Sequence, residues 1–139
     1  MPLSMVDLRH LAAAKVEDAK LLFEHGRHSN AYYLFGYGAE LALKARIARI
    51  FVANAIPDKQ LVNNIYSHDL AKLLALSGLG GRMAEDQRKS PALAAFWATV
   101  VDWSEEARYE MIDEFRSRAM RDAMLDQVDG VFGWLQSNW

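Results

Sequence analysis

The feature that most limits what this chain can become is the placement of its helix breakers. Three prolines and eight glycines are spread over 139 residues, and more than half of them fall between segments whose apolar side chains recur every third or fourth position. Helices joined by short loops leave that pattern. Nowhere do apolar and polar residues alternate as in a half-buried strand, and no segment repeats another. The chain is therefore expected to be all-α: an antiparallel up-and-down bundle of four to five helices, with residues 1–139 forming one domain around one core. At 52% hydrophobic, it has ample material for that core.

Caps and stripes place the helices. Ser4, with Asp7 as its acidic partner, reads as the start of a first helix that closes at Gly26, and Leu8, Ala12, Val16, Ala19 and Phe23 line its core face. A second, central helix is expected from Ser29 or Asn30 to about Asn54, ended by the approach to Pro57. Its stripe is Leu34, Gly38, Leu41, Ala45, Ala48 and Val52, widened by Tyr37 and Leu43, and Gly36 and Gly38 signal a backbone passing close by. After a polar stretch, Ser67-His68-Asp69 opens a short helix, Leu70 to Leu76, stopped by Gly78 and anchored by Leu70, Leu73 and Leu74. A further helical segment runs from Arg82 to Trp103, kinked or broken at Pro91. The charged run from Ser104 to Arg116 gives no clear period. From Ser117 the spacing of Met120, Met124, Val128, Val131 and Leu135 predicts one long last helix.

Several function classes are excluded or narrowed. With no cysteine there is no disulfide, no thiolate metal site and no Cys nucleophile, in keeping with a reducing, cytoplasmic setting. A net charge of −2, from 16 basic and 18 acidic residues, gives no overall pull towards nucleic acid or anionic membrane, so any such contact must be local. The opening residues lack the basic-then-apolar pattern of a signal peptide, and the longest apolar stretch, Ala31 to Leu43, is short and carries Glu40, so no membrane association is expected. Glu24 to His28 reads as a surface loop rather than a metal site, because Gly26 ends the helix between the two histidines. Gly78-Leu79-Gly80-Gly81 is a helix stop, lacking the Lys-Ser/Thr of a phosphate loop. No metal, cofactor or catalytic residue is assigned.

Three constellations can carry chemistry. Glu40 and Lys44 sit four apart on one helical face, either as a partly buried ion pair or with Glu40 turned to a cleft to orient a basic partner or ligand. His68 stands at a helix start between Ser67 and Asp69, which capping alone explains, although an imidazole there is also placed to meet an anion. Trp103, Arg108 and Tyr109 combine an indole, a guanidinium and a phenol, a set able to stack on a base and hold a phosphate, or simply a buried Trp beside a solvated Arg.

Taken in order, the run Ala31 to Ala45 (AYYLFGYGAELALKA), the segment Tyr66-Ser67-His68-Asp69-Leu70 with Leu73 and Leu74, and the stretch from Trp103 to Arg108-Tyr109 resemble the HEPN superfamily over nearly the whole chain. The resemblance implies a compact helical bundle, a homodimer, and one of two activities. Many HEPN proteins are RNA-cleaving toxins or defence effectors paired with a nucleotidyltransferase antitoxin; others are noncatalytic domains proposed to bind nucleotides. The nuclease branch uses an Arg followed about a turn later by a His. Here the histidines are His10, His25, His28 and His68, and none follows Arg108, Arg116, Arg118 or Arg121. The expectation is a noncatalytic HEPN-like domain binding a nucleotide, RNA or a partner protein such as a nucleotidyltransferase, in a toxin–antitoxin or defence system. Its ligand surface would comprise Glu40, Lys44, His68, Asp69, Trp103, Arg108 and Tyr109. The rivals are a divergent ribonuclease toxin using Arg108 and His68, and a module for protein contacts alone.

Overall fold

The computed structural model describes residues 3–51 and 55–139. Among the described residues the regular structure is entirely helical. The helices are α1 (Met5–Glu24), α2 (His28–Arg49), α3 (Lys59–Asn64), α4 (Leu70–Leu76), α5 (Gly80–Lys89), α6 (Pro91–Val101), α7 (Glu114–Leu125) and α8 (Val131–Asn138), with a 3₁₀ turn at Glu105–Tyr109 between α6 and α7. The helical class is as the sequence implies; the expected count of four to five is exceeded because two segments break, the one from Arg82 and the last, and because α3 forms in the polar stretch after Pro57.

α1 begins as expected. Ser4 accepts the Asp7 backbone N–H, and the Asp7 carboxylate accepts the Ser4 N–H in return, which satisfies two of the amides a helix start leaves open. Those bonds hold the Asp7 carboxyl below its usual range. Leu8, Ala12, Val16 and Ala19 are buried, whereas Phe23, at the turn, is only partly so. Gly26, at φ 74, takes the left-handed conformation that lets the chain reverse. α2 then runs back antiparallel along α1, as the pairing of His28 with Phe23 near the turn and of Tyr37 with Lys15 further on requires.

α2 is the centre of the molecule, in contact with α1, α4, α7, α8 and the 3₁₀ turn. Its buried residues run from Ala31 to Ile47 and cover nearly its whole circumference. Two glycines make room. A Cβ on Gly38 would lie 2.6 Å from Val16 Cγ2 and 3.4 Å from the Ala12 carbonyl oxygen, so α1 does pass close there. At Gly36 the neighbour is a side chain instead: the Trp103 indole fills the space a Cβ would take.

α2 stops at Arg49 rather than near Asn54. Beyond Ile47, Arg49 and Ile50 are exposed while Ala48 and Phe51 stay half-buried, and the last amides bond three residues back, Ile50 to Ile47 and Phe51 to Ala48. That three-residue spacing is the tightened last turn of an ending helix. Val52 and Asn54 lie outside the described residues. The polar stretch after Pro57 holds α3, capped by Asp58, whose carboxylate accepts from Gln60 and Leu61. It packs only half-buried Leu61 and Ile65 against the rest, which leaves little periodicity to read.

α4 has the expected bounds, with Gly78 at φ 77 beyond its end. Between α5 and α6 the break falls at Ser90: its Oγ accepts the Leu93 N–H and donates to Asp129 Oδ1 at 2.7 Å, and Pro91 takes the first helical position, where its missing N–H costs nothing. The expected last helix is instead two. Asp126 accepts the amides of Val128 and Asp129 on its carboxylate, and the Gly130 N–H returns to the Asp126 carbonyl so closely that a Cβ there would sit 2.4 Å from that oxygen. This turn throws Val128, assigned to the core stripe from its spacing, out to 88% exposure. Met120, Met124, Val131 and Leu135 are buried as expected.

Candidate functional site

Glu40 lies in the middle of α2, 1% exposed, an unusual place for a carboxylate. Such a group needs partners. One turn on, Lys44 Nζ donates to Glu40 Oε2 at 3.3 Å. From the turn ahead of α4, His68 Nδ1 meets Glu40 Oε1 at 2.8 Å. The ring continues outward: His68 Nε2 lies 3.1 Å from Glu105 Oε2, and Glu105 Oε1 lies 3.4 Å from an Arg108 guanidinium nitrogen. The Arg108 guanidinium in turn covers the Tyr109 ring, 4.9 Å from its centroid. Three separate segments are thus joined by one run of ionisable side chains, Lys44, Glu40, His68, Glu105, Arg108.

The local reasons are visible. The i,i+4 spacing of Glu40 and Lys44 stacks them on one α-helical face, and the i,i+3 spacing of Glu105 and Arg108 does the same in a 3₁₀ turn, which has three residues per turn. Asp69 caps α4, its Oδ1 accepting the Lys72 N–H at 3.1 Å, and Ser67 Oγ accepts the Asp69 N–H, so the His68 side chain is set between two fixed neighbours. A neutral imidazole has one N–H; both His68 contacts are hydrogen bonds only when both ring nitrogens carry a proton. Tyr109, and behind it Glu105, hold the Arg108 guanidinium above its ordinary range.

Of the residues expected from sequence, Glu40, Lys44, His68, Arg108 and Tyr109 are brought together, Asp69 stands beside them as a cap, and Trp103 has a different place. The indole is 3% exposed, lies across Gly36 and packs against Tyr33 with ring centroids 5.9 Å apart. It is a core residue rather than a platform presented for stacking; the ring held out to solvent is Tyr109, 77% exposed. The residue missed is Glu105, the joint between His68 and Arg108. Its only signal is the three-residue spacing to Arg108 within a run of charges that has no period. Beside the ion chain an open groove is bordered by His68, Asp69, Asp102, Trp103, Glu105 and Glu106, so its rim is acidic.

Basic groups outside this run are engaged elsewhere. On α7, Arg116 pairs with Glu110, Arg118 with Glu114 and Arg121 with Asp122, and these guanidiniums cover Tyr32 or Phe23. On α2, Arg46 donates to the Ser77 and Asn138 carbonyls. His25 bonds the Leu21 carbonyl and His28 the Ser117 hydroxyl, so the two histidines of the first turn face different partners. Among the described residues no helix is long and apolar enough to cross a membrane.

Tyr33, beside the site, and Tyr32, under Arg116, have phenols pushed above their usual range by burial, with Tyr37 adding to the effect at Tyr33. The folded protein keeps both protonated at a pH where the unfolded chain ionises them. It therefore holds more protons than the unfolded state above about pH 10, and stability is expected to fall as pH rises through that value. Urea midpoints measured between about pH 8 and about pH 11 check this; the decline should flatten in Tyr32→Phe and Tyr33→Phe, and an unchanged slope in both would contradict it.

No family model matches the chain, and no curated protein or solved structure matches it.

Proposed function

We propose that this chain is a noncatalytic HEPN-like binding domain, an up-and-down bundle acting in the cytoplasm, whose ligand is a nucleotide received where His68 and Arg108 converge. One observation carries the reading: these two solvent-reachable groups, an imidazole nitrogen and a guanidinium, face the two oxygens of a single carboxylate, Glu105. A phosphate offers the same pair of acceptors. Tyr109 supplies an exposed ring for a base, and Glu40 fixes His68 from behind. The acidic rim of Asp69, Asp102 and Glu106 favours one nucleotide over a nucleic-acid strand, whose successive phosphates would run along like charge.

Calorimetry with a panel of nucleoside monophosphates and diphosphates tests this. Saturable binding is expected, weakened about tenfold or more in Arg108→Ala. Uniform silence would instead favour the protein-contact module, with a second copy of the chain or a nucleotidyltransferase-type protein as partner.

A second reading, a divergent ribonuclease, is favoured by the same meeting of His68 and Arg108 and by the buried carboxylate on His68 Nδ1, the arrangement in which an acid orients a general base. RNA cleavage by the wild type that His68→Ala abolishes would establish it; equal, absent cleavage in both would remove it.

A further inference from the structure

Glu105 occupies a position that matters to the proposed ligand, and this inference rests on that reading. The innermost link is sealed, since the Glu40 side chain is 2% exposed. The outer members are not: side-chain exposures are 42% for His68, 34% for Glu105 and 48% for Arg108. Ion pairs so open to water are weak and exchange readily.

The backbone beneath Glu105 is anchored independently of its carboxylate. Ala107 is buried and its N–H donates to the Ser104 carbonyl, Glu110 N–H donates to Ala107, and Ile112 N–H donates to Ser29 Oγ at 2.9 Å. A change of rotamer moves the Glu105 carboxylate away without disturbing the turn. Asp69 is held by the Lys72 amide, and Asp102 and Glu106 border the groove without reaching His68 or Arg108.

We propose that Glu105 is a built-in competitor: its carboxylate fills the anion position between His68 and Arg108 and must swing out before a ligand phosphate enters. The domain thus carries its own low-affinity setting, and anything that draws Glu105 away raises affinity.

The test is titration of the full chain with AMP, and with inorganic phosphate as a probe lacking a base, in wild type, Glu105→Ala, Asp102→Asn and Glu105→Ala/His68→Ala, each checked for folding by circular dichroism. Glu105→Ala should bind AMP about tenfold more tightly than wild type. Asp102→Asn removes the same charge without vacating the position, so its gain should be small and vanish with added salt. The double variant should lose the gain. AMP binding by Glu105→Ala with a silent wild type also supports the proposal. Equal affinity of wild type and Glu105→Ala, or equal gains in Glu105→Ala and Asp102→Asn, overturns it while leaving nucleotide binding by the wild type intact. Silence of both wild type and Glu105→Ala overturns the binding reading and this inference with it.

Discussion

Gly36→Ala is expected to lower the unfolding free energy by about 2–3 kcal/mol, the cost of forcing an atom into a filled core. In an exposed helix the same exchange gains about 0.5–1 kcal/mol, because glycine has more freedom to lose on folding. Here the sign reverses. A Cβ at Gly36 would stand 2.2 Å from Trp103 Cγ and Cδ1. The indole has little room to withdraw: it is 3% exposed, Tyr33 packs against it, and the backbone that carries it is fixed by the bond from the Trp103 amide to the Val100 carbonyl. Urea unfolding reads the loss, and Gly133→Ala is the control: that helical glycine has nothing within 4 Å of its would-be Cβ and should gain stability. If both variants were as stable as wild type, the indole would not be seated as described.

Glu40→Ala is the second large effect, a loss of about 3 kcal/mol. It deletes a buried carboxylate and strips Lys44 and His68 of their shared acceptor. Glu40→Gln keeps the volume and one acceptor oxygen, so about half that loss is expected. The sharper measurement is a double-mutant cycle between Glu40→Gln and His68→Gln. A coupling of about 1–2 kcal/mol is expected if the 2.8 Å contact anchors His68. Simple additivity, with Glu40→Ala costing under about 1 kcal/mol, would mean that the carboxylate is no anchor.

How much of this was legible beforehand depended on whether a feature is local. The Ser4–Asp7 box, the bounds of α4 and the α1 stripe rest on neighbours within a turn or two, and sequence spacing encodes those directly. Glu40 and Lys44 could be paired for the same reason. The break after Leu125 could not be read from apolar spacing, because Val128 falls on the right period by coincidence; the deciding signals were Asp126 and Gly130, a side-chain acceptor and a residue without Cβ. α3 escaped because its two half-buried contacts are too few to make a stripe. In the site, the meeting of His68 with Glu40 and Glu105 is a matter of tertiary approach that no spacing records. Trp103 was recognised as important, but whether an indole is core or platform depends on what lies across from it, and here that is the gap left by a glycine in another helix.

The ion chain also bears on the order in which the molecule forms. α1 and α2 adjoin in sequence, so their hairpin closes only a short loop, whereas the contacts of Glu40 with His68 and of His68 with Glu105 each close a long one, with a larger entropy to overcome. The ionic run is therefore a late event that requires all three segments in place. Trp103, two residues before Glu105, settles over Gly36 through the same long-range approach, so in a variant with Trp97, Trp134 and Trp139 replaced by Phe its emission during refolding is expected to follow the joining of those segments rather than closure of the α1–α2 hairpin.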